Sequence, residues 1–137
     1  MAAHPLRIIN RLDAERLQRL IDAAGGDHPA VARVLEGELM RGEVVDPEQI
    51  PDDVVSMCSQ VRLSDPGHER AWVCTLVYPH ALASTADGLS VMSPAGVALL
   101  GRRVGDTLKI TPPEADITRL RIEALLWQPE RAGQYHR

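Results

Sequence analysis

The hydrophobic pattern of this chain changes its period once, at a short segment with two prolines, and this change limits the folds that the chain can adopt. Before the segment, apolar residues recur at helical spacing, and after it they alternate as they do in strands. Pro47 and Pro51 indicate that residues 46–53 form a linker with one capped turn. We therefore predict an α+β chain with a helical part at 1–45 and a β-rich part at 54–137.

Residues 1–45 are predicted to form two short helices in an antiparallel hairpin, that is, a coiled-coil arm. The first helix is expected to begin after an N-cap at Asp13 and to end at Gly25. The second is expected to begin at Pro29 and to end at Gly42. Each spans roughly 18 Å and must pack on the rest of the chain to be stable. The apolar stripes are Leu17, Leu20, Ile21 and Ala24 in the first helix and Val31, Val34, Leu35 and Leu39 in the second.

The β-rich part is predicted to form a twisted antiparallel sheet with one short helix. Ser93 and Pro94 are typical of the cap and first residue of that helix, and Gly101 is expected to end it. Gly101 and Gly105 suit positive φ or a close backbone approach, and Asp106 suits hydrogen bonds to turn amides. The first interpretation of these five residues is therefore structural.

The composition argues against several classes of function. The chain has 15 basic and 19 acidic residues, whereas domains that bind nucleic acid directly usually carry a basic excess. We find no apolar run long enough to span a membrane and no signal peptide, so we expect a cytoplasmic protein without a membrane partner. The five histidines have no metal-ligand spacing, and no catalytic motif occurs. We therefore predict no metal, no cofactor and no enzymatic activity.

Several segments of the chain together resemble the Gre family of transcription factors, and most closely its short-armed Rnk type. The resemblance covers nearly the full length, including Leu-Asp-Ala-Glu-Arg at 12–16 in the first helix. Its most specific part is a serine-proline helix followed by leucine-leucine-glycine and then by glycine-aspartate. The segments that carry the resemblance in the β-rich part are 55–61, 75–79, 89–101 and 104–106.

The resemblance implies an FKBP-like C-terminal domain and a bacterial regulator that binds RNA polymerase at the rim of its secondary channel. Gre factors insert a long arm, whose acidic tip helps to bind a catalytic magnesium ion and stimulates transcript cleavage. Here the predicted arm is too short for that reach, and Asp22 and Asp27 do not match the acidic pair of the family. We therefore expect competition with Gre factors at the rim without stimulation of cleavage.

Two surfaces are candidates for contact with the partner. At the arm tip, Asp22 and Asp27 could meet a basic surface or a magnesium ion, or they could be solvated charges beside a glycine turn. On the last strand, the predicted alternation puts Arg119, Arg121 and Trp127 on one face together with Leu125. Arginine beside tryptophan is typical of an interface, although Leu125 and Trp127 could instead pack under the helical hairpin.

Two other functions remain open at this point. An FKBP-like fold raises the possibility of a peptidyl-prolyl isomerase, but such a site needs an aromatic pocket and aromatic residues make up only 3% of the chain. The Rnk type is also associated with nucleoside diphosphate kinase, so the partner could be that kinase, or the effect on it could be indirect. No residue pattern favours direct contact with the kinase.

Overall fold

The chain folds into helices followed by a curled sheet, which confirms the predicted mixture of helix and strand. The computed structural model describes residues 7–24, 29–65, 69–109 and 119–133. The first part contains β1 (Ile8–Asn10), α1 (Arg11–Ala24), α2 (Pro29–Arg41) and β2 (Glu43–Val45). The second contains β3 (Gln60–Asp65), β4 (Arg70–Val77), β5 (Gly88–Ser90), α3 (Pro94–Leu99), β6 (Thr107–Lys109) and β7 (Arg119–Trp127), and 3-10 helices span Pro47–Gln49 and Pro79–Ser84.

The main sheet has five strands in the order β5-β4-β3-β7-β6. The central strand β3 pairs antiparallel with both β4 and β7. The prediction of an antiparallel sheet is wrong for β5, which lies parallel to β4. The reason is the connection after β4, in which the 3-10 helix Pro79–Ser84 carries the chain back before β5 starts.

A second, two-stranded sheet joins the ends of the helical part. Strands β1 and β2 pair in parallel, with Ile8 opposite Glu43 and Asn10 opposite Val45. The Ile8 amide also donates to the Gly101 carbonyl at 3.1 Å, so β1 links the helices to the β-rich part. Strands of three residues contain too few positions for an alternating pattern, which is why the sequence did not indicate them.

The helices and the main sheet share one hydrophobic core. Leu17 of α1 and Leu35 of α2 are fully buried in the same cluster as Leu63, Leu76 and Ile122 of the sheet. Helices α1 and α2 also contact each other, and Gln18 of α1 donates to a Glu36 carboxylate oxygen of α2 at 3.2 Å. Ile21 and Leu39 of the predicted apolar stripes belong to the same cluster. The prediction is wrong for Val34, which is 53% exposed because it lies on the outer side of α2.

The start of α1 differs from the prediction. The helix begins at Arg11, and the side-chain oxygen of Asn10 accepts a hydrogen bond from the Leu12 amide at 2.8 Å. Asp13 is therefore not the N-cap but lies inside the first turn, where only 3% of its surface is exposed.

Within the described ranges, no helix has both the length and the apolar character that a membrane span requires.

Candidate functional site

The outer face of the main sheet combines arginines with a tryptophan. Arg121, Ala124 and Trp127 of β7 lie opposite Ser64, Arg62 and Gln60 of β3, respectively. Arg62 is exposed, so this row points away from the core. Arg119 is exposed two residues before Arg121 and therefore lies on the same side of the strand. We call Arg119, Arg121 and Trp127 the outer β7 surface.

Two bulges in β7 change the predicted alternation of that strand. Ala124 pairs with Arg62 but Ile122 with Leu63, so Glu123 is an extra residue, and a second shift makes Leu126 extra. Each bulge reverses the side to which the following residue points. The prediction that Leu125 shares a face with Arg121 is therefore wrong, because Leu125 belongs to the core. Trp127 is half-buried and stays on the outer side.

The charged side chain of Arg121 on the outer β7 surface forms an ion pair that is accessible to solvent. Nε of Arg121 lies 3.7 Å from the Glu123 carboxylate, and the two side chains are 54% and 39% exposed. The same Glu123 oxygen accepts a hydrogen bond from the Ser64 hydroxyl at 2.5 Å. An exposed ion pair of this kind stabilises a fold by less than about 1 kcal/mol. Arg121 can therefore exchange its carboxylate for one on a partner at small cost.

Asp22 lies in the last turn of α1 and is exposed. Its carboxylate accepts a hydrogen bond from the Gln18 amide at 3.1 Å, one helical turn earlier. Asp27, the second predicted tip residue, lies outside the described residues. Among the described residues, no group of three histidine, cysteine or acidic side chains is arranged as a metal site requires.

The turn before α3 is closed by its serine. The Ser93 hydroxyl accepts a hydrogen bond from the Gly96 amide at 3.1 Å and donates to the Ser90 carbonyl at 2.6 Å. Pro94 is the first residue of α3. The helix therefore starts directly on the end of β5, and Gly96 is pressed against that strand.

The residues after α3 form two tight turns. Gly101 and Gly105 both have positive φ, at +77° and +95°. A Cβ atom at Gly101 would lie 2.9 Å from the Arg7 Cβ, so the backbone of this residue packs directly on the first described residue. The Asp106 carboxylate accepts a hydrogen bond from the Arg103 amide at 2.9 Å.

A buried polar cluster, which no sequence pattern predicted, joins α1 to the β-rich part. The Glu130 carboxylate accepts hydrogen bonds from the Asn10 amide group and from the Ser56 hydroxyl, both at 2.6 Å. Asp13 accepts from the Met57 amide at 3.1 Å. Burial raises the pKa of Asp13 to about 7, and the nearby Glu130 charge adds to that shift. The partners are 44 to 120 residues apart in sequence, so no local pattern could have revealed them.

Comparison with known proteins identifies the family. The model "Rnk N-terminus" matches residues 8–45, and "Transcription elongation factor, GreA/GreB, C-term" matches residues 50–125. A protein of Escherichia coli (strain K12) named "Regulator of nucleoside diphosphate kinase" is 41% identical over 133 residues, which cover 97% of this chain and 98% of that protein. The chain is a Rnk-type member of the GreA/GreB family.

Other Gre-family proteins share this fold. A solved structure described as "Prokaryotic transcription elongation factor GreA/GreB from Nitrosomonas europaea" has a TM-score of 0.74 and 37% identity, covering 90% of this chain and all of that one. A "Transcription elongation factor GreA" of Chlorobium phaeobacteroides (strain BS1) is 32% identical, and the match covers 76% of this chain but 62% of that protein. These relatives are named as regulators and transcription factors, not as catalysts. The chain is therefore a Gre-like regulator.

Proposed function

We propose that this Gre-like regulator acts in the cytoplasm by binding RNA polymerase at the rim of the secondary channel, where it competes with Gre factors without stimulating transcript cleavage. One observation carries the proposal: a sheet of the GreA/GreB type bears helices of only 14 and 13 residues. A helix of 14 residues is about 21 Å long. Membership of the family is the reason for proposing this site on the polymerase. The short helices are the reason for proposing that cleavage is not stimulated.

The reach of the helices supports this difference. The buried face of α1 continues to Ile21, which is part of the shared core. Beyond Ile21, α1 has three more residues, ending at Ala24, and these add about 4.5 Å. Ile21 therefore lies in the packed part of the molecule, and only the short last turn of α1 extends beyond it.

The arm and the body are proposed to have the limits predicted from sequence, with an arm at 1–45, a linker at 46–53 and a C-terminal domain at 54–137. The two family models meet between residues 45 and 50, which supports a division there. A curled sheet with α3 against one side supports an FKBP-like description of the C-terminal domain.

The partner contacts are proposed to come from both surfaces. On the arm, Asp22 and Asp27 would face a basic region of the polymerase, because complementary charge steers association. On the body, Arg119 and Arg121 would pair with acidic side chains while Trp127 provides apolar area beside them. The structural residues Ser93, Pro94, Gly101, Gly105 and Asp106 would act by shaping the body and not by direct contact.

The first prediction concerns the activity as a whole. Purified protein mixed with polymerase core enzyme is expected to co-elute with it, and excess Gre factor is expected to displace it. In a stalled-complex assay, the protein is expected to produce no cleaved RNA and to reduce the cleavage that a Gre factor stimulates. Lack of association at about 10 μM, where a complex with a micromolar Kd would form, argues against rim binding. RNA cleavage by the protein itself would contradict the role of helix length.

The second prediction concerns the outer β7 surface. Reversing both charges in Arg119→Glu/Arg121→Glu is expected to weaken polymerase binding at least about tenfold, because like charges then face the acidic partner. The measurement is competition against a labelled Gre factor. The matched control is Arg103→Glu. Arg103 is an exposed arginine in the turn before β6, and its Nη1 lies 3.4 Å from the Asp53 carboxylate.

Equal loss of binding in the double variant and in the control would mean that total charge, not this surface, matters. Trp127→Ala separates the two interpretations of that residue. If Trp127 is an interface residue, the variant keeps its unfolding midpoint and loses polymerase binding. If Trp127 is needed for packing, the unfolding midpoint of the variant falls below that of the wild type.

Nucleoside diphosphate kinase is a second candidate partner, favoured only by the name of the Escherichia coli relative. The same co-elution experiment with purified kinase in place of polymerase distinguishes direct contact from an indirect effect. We expect the polymerase complex to form and the kinase complex not to form.

A further inference from the structure

The side of the main sheet that faces away from the core is lined by polar side chains on its central strand. Gln60, Arg62 and Ser64 of β3 alternate with Val61 and Leu63, which are buried. All three α-helices bury residues in the same core as Val61 and Leu63. Among the described residues, the α-helices therefore lie on the inner side of the sheet, and none of them covers the outer side.

The outer side carries a diagonal line of polar side chains that crosses three strands. Arg121 of β7 lies opposite Ser64 of β3, and Arg62 is two residues from Ser64 on the same side of the strand. On its other edge, Arg62 lies opposite Val73 of β4, which is two residues from Thr75. Diagonal neighbours of this kind are about 7–8 Å apart. Arg121, Arg62 and Thr75 therefore follow one another in a line across β7, β3 and β4.

The line ends at a carboxylate. Asp87 accepts hydrogen bonds from the Thr75 hydroxyl at 2.9 Å and from the Gln60 amide group at 3.0 Å, so its carboxylate also lies on the outer side. The bond from Gln60 and that from Thr75 lower the pKa of Asp87 against the opposing effect of burial. At the other end, Arg119 extends the line along β7 beyond Arg121. We call Arg119, Arg121, Arg62 and Asp87 the charged diagonal.

The three arginines of the charged diagonal are available to a partner. Arg62 and Arg119 are exposed, and within the part of the chain that the structure describes neither has a carboxylate partner. Arg121 has only the exposed contact with Glu123 at 3.7 Å. The chain as a whole has 19 acidic against 15 basic residues, so this local positive charge is opposite in sign to the net charge. Guanidinium groups in this state favour a partner that carries carboxylates.

We propose that the charged diagonal docks an acidic polypeptide segment of the partner, whose carboxylates pair with the three arginines and whose following basic side chain pairs with Asp87. Opposite charges at the two ends admit the segment in one orientation only, because the reverse orientation brings like charges together. Glu123 holds Arg121 where a carboxylate of the segment would bind, so it competes with the partner. That the partner is RNA polymerase rests on the proposed function, whereas the charge pattern does not.

The third prediction tests the charged diagonal by competition against a labelled Gre factor on polymerase. Arg62→Glu is expected to weaken binding at least about tenfold, because a like charge then faces the carboxylates of the segment. Asp87→Asn is expected to weaken binding about two- to fivefold, the usual effect of an accessible ion pair. Its side-chain oxygen can still accept the bonds from Gln60 and Thr75, so the fold is kept. Glu123→Gln removes the competing carboxylate and is expected to tighten binding.

The matched control is Arg33→Glu, which reverses an exposed arginine on α2. It is expected to change affinity less than about twofold, because salt screens charges that lie outside the contact. Equal weakening by Arg33→Glu and by Arg62→Glu would overturn the charged diagonal, since binding would then follow total charge. If the wild type binds polymerase and Arg62→Glu binds equally well, the charged diagonal is wrong while the proposed function stands.

Two synthetic peptides test the same surface on wild-type protein without polymerase. One has four glutamates followed by four lysines, and the other has the same residues in alternation, so total charge is equal. Amide resonances of residues 60–64, 87–88 and 119–121 are expected to shift at lower concentrations of the block peptide than of the alternating one. Equal shifts with both peptides, or shifts confined to α1 and α2, would overturn the inference. Stronger shifts of the same resonances with an oligothymidylate would also overturn it, because the arginines would then fit a nucleic acid better than a polypeptide.

Discussion

Gly96→Ala is expected to destabilise the protein by at least about 3 kcal/mol, the upper end of the usual cost of overpacking. A Cβ atom at this position would lie 2.0 Å from the Ser90 carbonyl oxygen and 2.8 Å from both the Ser90 carbonyl carbon and the Val91 Cα. These are backbone atoms, so no rotamer change can relieve the overlap. Either α3 must move away from β5, or the hydrogen bonds of Ser93 that close this turn must break.

The measurement is thermal unfolding followed by circular dichroism, in which the midpoint is expected to fall by about 10 °C. Gly37→Ala is the matched control, since it makes the same chemical change inside α2. There the side-chain atoms nearest to the added Cβ belong to the flexible end of Arg41, the first of them at 3.4 Å. Alanine is favoured over glycine in a helix by about 0.5–1 kcal/mol, so this variant is expected to be slightly more stable. Equal midpoints of the two variants would contradict the expected overlap between Gly96→Ala and β5.

The features that the sequence predicted well are those that depend on neighbouring residues. The buried positions of Leu17 in α1 and Leu35 in α2 follow from helical spacing, and the start of α3 at Pro94 follows from a cap and a proline side by side. Family resemblance rested on such local motifs too, which is why it could be recognised without a structure.

The features that the sequence did not predict depend on distant residues. The inward position of Leu125 follows from two bulges, and bulges are set by how β7 fits against β3 and not by the order of residues within β7. Arg7 appears in the sequence as an ordinary charged residue near the first strand, although its partners are 90 and 93 residues away. For the same reason Asp13 resembled a surface cap, while its partners from the β-rich part enclose it.

Asp13 is expected to make the stability of the protein decrease as pH rises from about 5 to about 7. The carboxyl has an ordinary pKa of 3.8 when the chain is unfolded and a pKa of about 7 when it is folded, chiefly because burial disfavours the charge. Between these values the folded state binds more protons than the unfolded state, so each pH unit lowers the free energy of unfolding by about 1.4 kcal/mol. Above pH 7 the contribution of Asp13 is constant.

The groups around Asp13 fix the direction of this effect. The Glu130 charge raises its pKa further, while the Met57 amide, Arg16 and the Tyr78 hydroxyl at 3.4 Å favour the carboxylate and oppose the rise. Burial and the charge of Asp13 also raise the pKa of Tyr78, so its hydroxyl stays protonated across this range. The pKa values of Glu38 and Asp87 are lowered in the folded protein. Their ionised forms therefore stabilise the fold across this range, and that contribution is lost only in more acidic solution.

Asp13→Asn is therefore expected to be more stable than the wild type at pH 8, by on the order of 3 kcal/mol, and to lose that advantage at pH 5. The asparagine oxygen can still accept from the Met57 amide, and its NH₂ group can donate to the Tyr78 hydroxyl. Urea midpoints of both proteins at half-unit intervals from pH 5 to pH 8 measure the difference. Asp22→Asn removes an exposed carboxylate from the same helix and is expected to leave the pH profile unchanged. A profile with the same slope in Asp13→Asn and wild type would show that Asp13 is ionised throughout this range, and that the hydrogen bonds from Met57 and Tyr78 outweigh the effect of burial.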